Sequence, residues 1–224
     1  MIQLEELQLY ANEISKLPNS FSKLNSLITL DLSANSFTEF PNIFELKNLK
    51  TLSLQDNQIK IIPKEISNLK QLKTIELNEN KIKKLPIEFF ELINLKKIDL
   101  SKNLIKEIPN EISNLKKLEE IDLPDNKIKI IPNSFGNLKK LIECDISENF
   151  IKELPSSFSN LSELKYLKLD SSNEKLITPP SFVIKNGEQS ILSYLNQMKE
   201  NDSIEYSRLP LLILGDGGVG KTVS

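Results

Sequence analysis

Residues 72–86, LKTIELNENKIKKLP, decide the fold, because their pattern returns along most of the chain. The unit reads L-x-x-L-x-L-x-x-N-x-I, with isoleucine in place of the second leucine here, and a proline follows. Its asparagine recurs every 22 or 23 residues. A fixed period of this length is the sequence signature of a solenoid. We number repeats one to seven by these asparagines, which are Asn12, Asn35, Asn57, Asn80, Asn103, Asn126 and Asn149.

Two further series keep step with the asparagines. Prolines recur at Pro18, Pro41, Pro63, Pro86, Pro109, Pro132 and Pro155. Apolar residues recur at Phe21, Phe44, Ile66, Phe89, Ile112, Phe135 and Phe158. An eighth unit is longer by one residue, which places Asn173, Pro179 and Phe182 each 24 residues beyond the preceding member of its series. Three series in phase predict about eight stacked repeats.

Each part of the unit has a physical role. Alternation along a strand turns Leu30 and Leu32 inward and leaves Asp31 and its neighbours outside. An asparagine amide carries both donors and an acceptor, so it can satisfy backbone groups buried in the following turn. The proline fixes φ and starts the return segment, which the Phe/Ile series packs onto the leucines. We therefore expect an α/β solenoid with its parallel sheet on the concave side.

These units resemble leucine-rich repeats of the short intracellular type, in which LP or IP follows the asparagine. The resemblance covers the chain up to residue 182. It implies a horseshoe of about eight repeats of 22–24 residues, and it implies that residues 1–182 bind another protein.

The two ends of the solenoid differ in sequence. Residues 183–200 break the repeat and place apolar side chains at helical spacing, which predicts a helix or helix pair that caps the last repeat, with a possible kink at Gly187. No cap is visible at the N-terminal end, so we expect that edge to fray, to self-associate or to follow an upstream segment. The apolar positions of the predicted cap are Val183, Ile184, Ile191, Leu192, Leu195 and Met198.

Composition excludes several classes of protein. The chain has 29 basic and 31 acidic residues, a balance that argues against nucleic-acid binding. It has no signal-peptide pattern and no apolar run long enough for a membrane span. It lacks histidine, which removes histidine-based catalysis and metal ligation. The single cysteine, Cys144, forms no intrachain disulfide and favours a cytoplasmic location; we expect a buried hydrophobe, with a reactive thiol as the alternative.

The outward strand positions carry an acidic excess. Two interpretations stay open: a solvated surface that keeps the protein soluble, or a patch that docks a basic partner segment. A glycosidase is disfavoured because an open surface does not desolvate a carboxylic acid, and no loop has the spacing of calcium ligands. The candidate partner-binding residues are Glu76, Glu79, Asp99, Glu120, Asp122, Asp125, Glu143, Asp145 and Glu148.

Lysines form a separate series. One lysine follows the isoleucine after each of five successive asparagines, which predicts a basic flank beside the acidic face. These lysines are Lys60, Lys83, Lys106, Lys129 and Lys152.

The last residues have a different character. The segment 215–222, GDGGVGKT, matches G-x-x-x-x-G-K-[ST] and follows an apolar LLIL run. Such a loop cradles phosphates with backbone N–H groups, while Lys221 reaches the β and γ phosphates and Thr222 ligates Mg²⁺. The candidate nucleotide-binding residues are Gly215, Asp216, Gly217, Gly218, Val219, Gly220, Lys221 and Thr222.

The sequence of this loop resembles that of Ras-like GTPases. The order of repeats followed by such a domain resembles that of Roco proteins. The resemblance implies GTP or GDP and Mg²⁺ as ligands of a complete parent protein. The D-x-x-G and N-K-x-D segments of such a domain do not occur after the loop, so we expect no catalytic residue and no cofactor in this chain. Residues 201–224 are expected to be a linker and a truncated, disordered domain start.

We therefore expect the protein-binding repeat region of a multidomain GTP-binding protein. The alternative is a stand-alone repeat adaptor or regulatory subunit, similar to Ras-pathway scaffolds or phosphatase regulators.

Overall fold

A computed structural model of the protein describes residues 3–169 and 178–202. Asn173 and the candidate nucleotide-binding loop at 215–222 lie outside these residues, so the predictions made for them stay predictions.

Eight three-residue strands in the described residues pair in chain order into one parallel sheet. The central residue of each strand faces the central residue of the next, as Leu30 faces Leu52. Central side chains from β2 onward are buried, and their neighbours along the strand point to the concave side. This confirms the predicted sheet. The strands are β1 Glu6–Gln8, β2 Thr29–Asp31, β3 Thr51–Ser53, β4 Thr74–Glu76, β5 Lys97–Asp99, β6 Glu120–Asp122, β7 Glu143–Asp145 and β8 Tyr166–Lys168.

The asparagines satisfy the buried turn backbone, as predicted. Asn126 Nδ2 donates to the carbonyl oxygens of Leu100, Leu123 and Pro124 at 2.9, 3.1 and 3.3 Å. Its Oδ1 accepts the N–H of Ile105, in the preceding repeat, at 3.0 Å. The amides from Asn35 to Asn149 therefore each join their own turn to the turn before it.

The residue before each of the seven asparagines adopts a left-handed conformation, with φ between 50° and 56°. None of these residues is glycine, although this region favours glycine. The left-handed residue lets the chain turn sharply from the strand into the asparagine. These residues are Ala11, Ala34, Asp56, Glu79, Lys102, Asp125 and Glu148.

Short 3₁₀ helices follow the prolines on the return side. They run Asn19–Lys23, Lys64–Asn68, Ile87–Glu91, Asn110–Asn114, Asn133–Asn137 and Ser156–Asn160. Each buries the expected Phe or Ile, which confirms this series in six repeats.

The Phe/Ile series is wrong at two positions. In repeat two the segment between Pro41 and Leu46 is one residue shorter than its counterparts, so Ile43 takes the buried position and Phe44 is half-buried. At the C-terminal end Phe182 is 66 % exposed, because the chain there forms an α-helix that turns the next two residues into the core.

Two helices cap the last repeat, as predicted. Helix α1 spans Ser181–Lys185 and helix α2 spans Glu188–Asp202. Gly187, with φ 89°, separates them at the expected kink. Ile191 and Leu195 of α2 are buried, and α2 packs on the last 3₁₀ helix and on β8.

The N-terminal edge is open. Within the described residues, strand β1 pairs only with β2, and Leu4, Leu7 and Leu9 stay half-buried. The equivalent leucines of β2, Leu30 and Leu32, are fully buried. The described residues thus place a closed end beside α2 and an open end at β1.

Candidate interaction surface

The sheet register assembles the nine candidate partner-binding residues into three rows. One row follows the first strand position and contains Lys97, Glu120 and Glu143. A second follows the turn residue with positive φ and contains Glu79, Lys102, Asp125 and Glu148. The third follows the last strand position and contains Glu76, Asp99, Asp122 and Asp145, which we call the carboxylate row.

The carboxylate row consists of four direct neighbours. Glu76 faces Asp99, Asp99 faces Asp122, and Asp122 faces Asp145 in the register. Neighbouring strands lie about 4.8 Å apart, so the four carboxylates repel one another along the row. Like charges directly opposite one another destabilise a sheet. The row therefore reduces the stability of the free protein.

Lysines form ion pairs with three of the nine candidate residues. Lys97 Nζ lies 2.6 Å from Glu120 Oε1, and Lys102 Nζ lies 2.9 Å from Glu79 Oε1. The hydrogen bond to Glu120 raises the pKa of Lys97. At the end of the row, Lys168 Nζ lies 3.4 Å from Asp145 Oδ2. Within the described residues the remaining candidates, Glu76, Asp99, Asp122, Asp125, Glu143 and Glu148, form no ion pair.

The two aspartates that flank Asp122 in the row, Asp99 and Asp145, each accept hydrogen bonds from a serine two residues later in the chain. Asp99 Oδ1 accepts the backbone N–H and the hydroxyl of Ser101 at 2.9 and 2.7 Å. Asp145 Oδ1 accepts the same two groups of Ser147 at 3.0 and 2.6 Å.

Asp122 lacks this arrangement, because Pro124 occupies the serine position. Proline has no N–H to donate, and it carries no hydroxyl. The Asp122 carboxylate accepts no hydrogen bond from the described residues. The sequence carries this difference at positions 101, 124 and 147, which are serine, proline and serine.

The environment of Asp122 favours its neutral form. Burial is the largest cause, followed by the negative charges of Asp99, Glu120 and Asp145, and together they raise the pKa of Asp122 to about 6. The positive charge of Lys97 opposes the shift. A cation supplied by a binding partner would act in the same direction as Lys97 and favour the ionised carboxylate.

A second acceptor lies near the first member of the row. Asn78, two residues after Glu76, is buried, and its Oδ1 has no hydrogen-bond partner within the described residues. An unsatisfied buried acceptor is costly to stability.

Cys144 is a core residue. It is the central residue of β7, between Ile121 and Leu167 in the register, and it is buried. Burial raises the pKa of its thiol well above the usual range, so the reactive-thiol alternative is wrong.

The predicted basic flank is exposed, and the structure adds a second basic edge. Lys129 and Lys152 typify the flank beyond the asparagine turns. The second edge lies in the turns that lead into strands β3 to β8, where the sequence reads L-K-x-L-K at residues 46–50 and 69–73 and keeps one or two of these lysines in the later repeats. Its lysines are Lys47, Lys50, Lys70, Lys73, Lys96, Lys116, Lys117, Lys139, Lys140 and Lys165.

In the part of the chain that the structure describes, no helix is long and apolar enough to cross a membrane. Within the same residues, no group of three or more potential metal ligands is close enough to hold an ion.

Comparison with known families identifies the repeat. A model described as a leucine-rich repeat region matches residues 42–125, and a single-repeat model matches residues 26–46 and 117–138. The solenoid is a leucine-rich repeat domain. Among curated proteins, no sequence matches the chain.

Solved structures agree with this fold. A leucine-rich repeat protein of Leptospira interrogans is 33 % identical, with a TM-score of 0.62 over 77 % of this chain and 53 % of its own. An internalin of Listeria monocytogenes, at 24 % identity and a TM-score of 0.65 over 74 % of this chain and 47 % of its own, shows the fold alone.

A plant protein adds a third structural neighbour. The repeat ectodomain of the receptor kinase GASSHO1/SCHENGEN3 from Arabidopsis thaliana is 28 % identical, with a TM-score of 0.62 over 75 % of this chain and 24 % of its own. That structure contains CASPARIAN STRIP INTEGRITY FACTOR 2. The chain thus spans about half the length of the two bacterial proteins and about a quarter of the plant ectodomain.

Proposed function

We propose that this leucine-rich repeat domain binds a basic segment of a partner protein on its concave face. Leucine-rich repeats generally mediate protein–protein interaction. One observation supports the finer proposal: four neighbouring carboxylates occupy one register row, and one of its two inner members, Asp122, accepts no hydrogen bond from the described residues.

Energetics support a binding role over a merely solubilising one. A solvated surface gains nothing from like charges that face one another, and alternation with lysine would keep the protein equally soluble. A partner that places lysine or arginine along the row would remove the repulsion and supply a donor to Asp122. The proposed contact therefore gains affinity from groups that are unfavourable in the free protein.

The test uses a defined basic probe. A fluorescein-labelled nonapeptide of alternating lysine and alanine is titrated by fluorescence polarisation at about 0.15 M salt, where the screening length is about 8 Å. Reversing Asp122, Glu143 and Asp145 to lysine is expected to weaken binding at least about 100-fold, since close charge pairs contribute about 1.5 kcal/mol or more each.

The matched control carries the same change of net charge elsewhere. Glu65→Lys, Glu107→Lys and Glu111→Lys alter exposed positions outside the sheet and are expected to bind the peptide within about threefold of the wild type, since distant charges are screened. Equal affinity of the concave variant and the wild type would refute the proposal.

We further propose that the parent protein is a Ras-like GTP-binding protein of the Roco type. The loop at 215–222 and the apolar strand pattern before it support this proposal. In that parent the glycines and Lys221 would hold the phosphates of GTP or GDP, and Thr222 would hold Mg²⁺.

The parent's transcript and the nucleotide affinity of its product test this second proposal. The reading frame is expected to continue into D-x-x-G and N-K-x-D segments, and Lys221→Ala is expected to abolish GTP binding by the full-length product. A frame without these segments would refute it and favour a stand-alone adaptor.

A further inference from the structure

A groove of about 940 Å³ lies between repeats six and seven, on the flank beyond the asparagine turns. Ile131 and Leu154, which are buried, line its inner part. Ile130, 73 % exposed, and Phe150, 40 % exposed, line its outer part together with Lys129 and Lys152. The groove is separate from the carboxylate row, none of whose members lines it.

Two departures from the repeat pattern create this apolar surface. The residue four positions after the asparagine is charged in repeats one, two, four, five and seven, but it is isoleucine in repeats three and six, at Ile61 and Ile130. The residue directly after the asparagine is polar or aliphatic in the first six repeats, but it is aromatic at Phe150. The register of neighbouring repeats places these two exceptions on the same groove.

The backbone beside the groove offers free hydrogen-bonding groups. The N–H groups of Lys129, Ile130 and Ile131 donate no hydrogen bond within the described residues. On the other side of repeat seven, the Leu154 N–H donates to the Thr178 carbonyl oxygen at 2.9 Å. The segment at 129–131 therefore resembles a strand edge, which pairs readily with an extended chain.

The charge at the groove is positive. Lys129 and Lys152 line it, and Lys127 Nζ lies 5.4 Å from the centroid of the Phe150 ring. Glu153 is the acidic residue among the lining residues. An acidic ligand therefore complements the groove better than a basic one.

We propose that this groove binds an extended acidic peptide segment whose apolar side chain packs between Ile130 and Phe150. Backbone groups at 129–131 pair with the peptide, and the lysines contact acidic residues on either side of the apolar one. The proposal concerns a second surface and does not depend on the concave face.

The chain contains a matched control site. Ile61 stands at the position equivalent to Ile130 and is 72 % exposed, and Lys83 is the equivalent of Lys152. The residue equivalent to Phe150 is there Lys81, so the aromatic side of the groove is missing. Ile61 thus has the same exposure and repeat context without the proposed site.

The experiment measures binding of a fluorescein-labelled nonapeptide with four glutamates on each side of a central leucine. Ile130→Asp with Lys152→Glu is expected to weaken binding at least about tenfold, because truncating an anchor in a central pocket commonly has that effect. Ile61→Asp with Lys83→Glu is expected to stay within about twofold, as for a surface position outside the contact. A peptide with serine in place of the leucine should bind at least about tenfold more weakly.

Any of three results would overturn the proposal. The first is no binding of the leucine peptide by the wild type up to about 1 mM, which corresponds to about −4 kcal/mol. The others are an equal loss of peptide affinity in both double variants, or equal affinity of the wild type for the leucine and serine peptides. Chemical-shift mapping of isoleucine methyl groups provides a readout independent of folding. The Ile130 methyl signal should move on titration, and the Ile61 signal should not.

Discussion

The first repeat and the interior repeats share one sequence pattern, yet their asparagines differ in burial and in hydrogen bonding. Asn126 makes four hydrogen bonds and is fully buried. Asn12 is exposed, and among the described residues it donates only to the carbonyl oxygens of Leu9 and Tyr10, at 3.1 and 3.0 Å, in its own turn. The repeat that contains the asparagine provides half of its hydrogen-bond partners, and the preceding repeat provides the other half.

This difference shows where stability resides in a solenoid. Each repeat contacts its neighbours, so stability is approximately a sum of repeat and interface contributions. In the part of the chain that the structure describes, the first repeat has one neighbouring repeat, whereas each interior repeat has two. Equivalent substitutions should therefore have unequal effects, and two pairs of variants test this. A third pair compares two aspartates of the sheet that differ in their neighbours.

The asparagine pair should give the largest difference. Asn126→Ala leaves three carbonyl groups and one N–H without their side-chain partner, and we expect the free energy of unfolding to fall by about 4 kcal/mol. Asn12→Ala should cost less than about 0.5 kcal/mol, as for an exposed site. Urea denaturation followed by circular dichroism measures both free energies. Equal losses would contradict the claim that an interior asparagine bonds the turns of two neighbouring repeats.

The second pair tests the packing between repeats. A Cβ atom at Gly136 would overlap the backbone carbonyl of Ser157 in the next repeat. Gly136→Ala should therefore lower the free energy of unfolding by about 2 kcal/mol, as over-packing does. At the equivalent position of repeat one, Ser22→Ala removes only an exposed bond to the Asn19 carbonyl and should cost less than about 1 kcal/mol. A neutral or stabilising Gly136→Ala would contradict this contact.

The third pair tests the aspartates of the sheet by their pH dependence. Folding raises the pKa of Asp122 from 3.8 to about 6, so the folded state binds the proton more tightly and loses stability as pH rises from about 4 to about 6. Asp122→Asn should thus stabilise the protein at pH 7.5 by on the order of 1 kcal/mol after solvent screening, and have little effect near pH 4.

Asp31→Asn is the control for this pair. Asp31 accepts the backbone N–H and hydroxyl of Ser33 at 2.8 and 2.6 Å, and the amide replaces an acceptor that is already satisfied. We expect no stabilisation at pH 7.5. A gain as large as that of Asp122→Asn would show that the position of Asp122 between two carboxylates is not the cause.

The repeat pattern was sufficient to predict the sheet, the asparagine contacts and the helical cap, because each depends on spacing along the chain. It could not reveal the left-handed turn residues, since Ala, Asp, Glu and Lys occupy them instead of glycine. It was wrong at Phe44, where one missing residue moves Ile43 into the core. It was also wrong at Phe182, where a helix replaces the return segment.

The candidate surface was predicted in composition but not in detail. Sequence spacing identified the acidic residues, whereas the pairing of Glu120 with Lys97 depends on side-chain conformation across two repeats. The effect of Pro124 on Asp122 follows only from alignment of equivalent positions. The groove at Ile130 and Phe150 likewise consists of exceptions to the repeat pattern, so the pattern does not predict it.

The most direct test of the concave-face proposal is the pKa of Asp122, measured by carboxyl ¹³C NMR titration with and without a saturating basic peptide of alternating lysine and alanine. A cation within about 4–6 Å lowers a carboxyl pKa by about 1–3. We predict that the pKa of Asp122 falls from about 6 by at least about one pH unit when the peptide binds. An unchanged pKa in the bound protein would contradict the proposal.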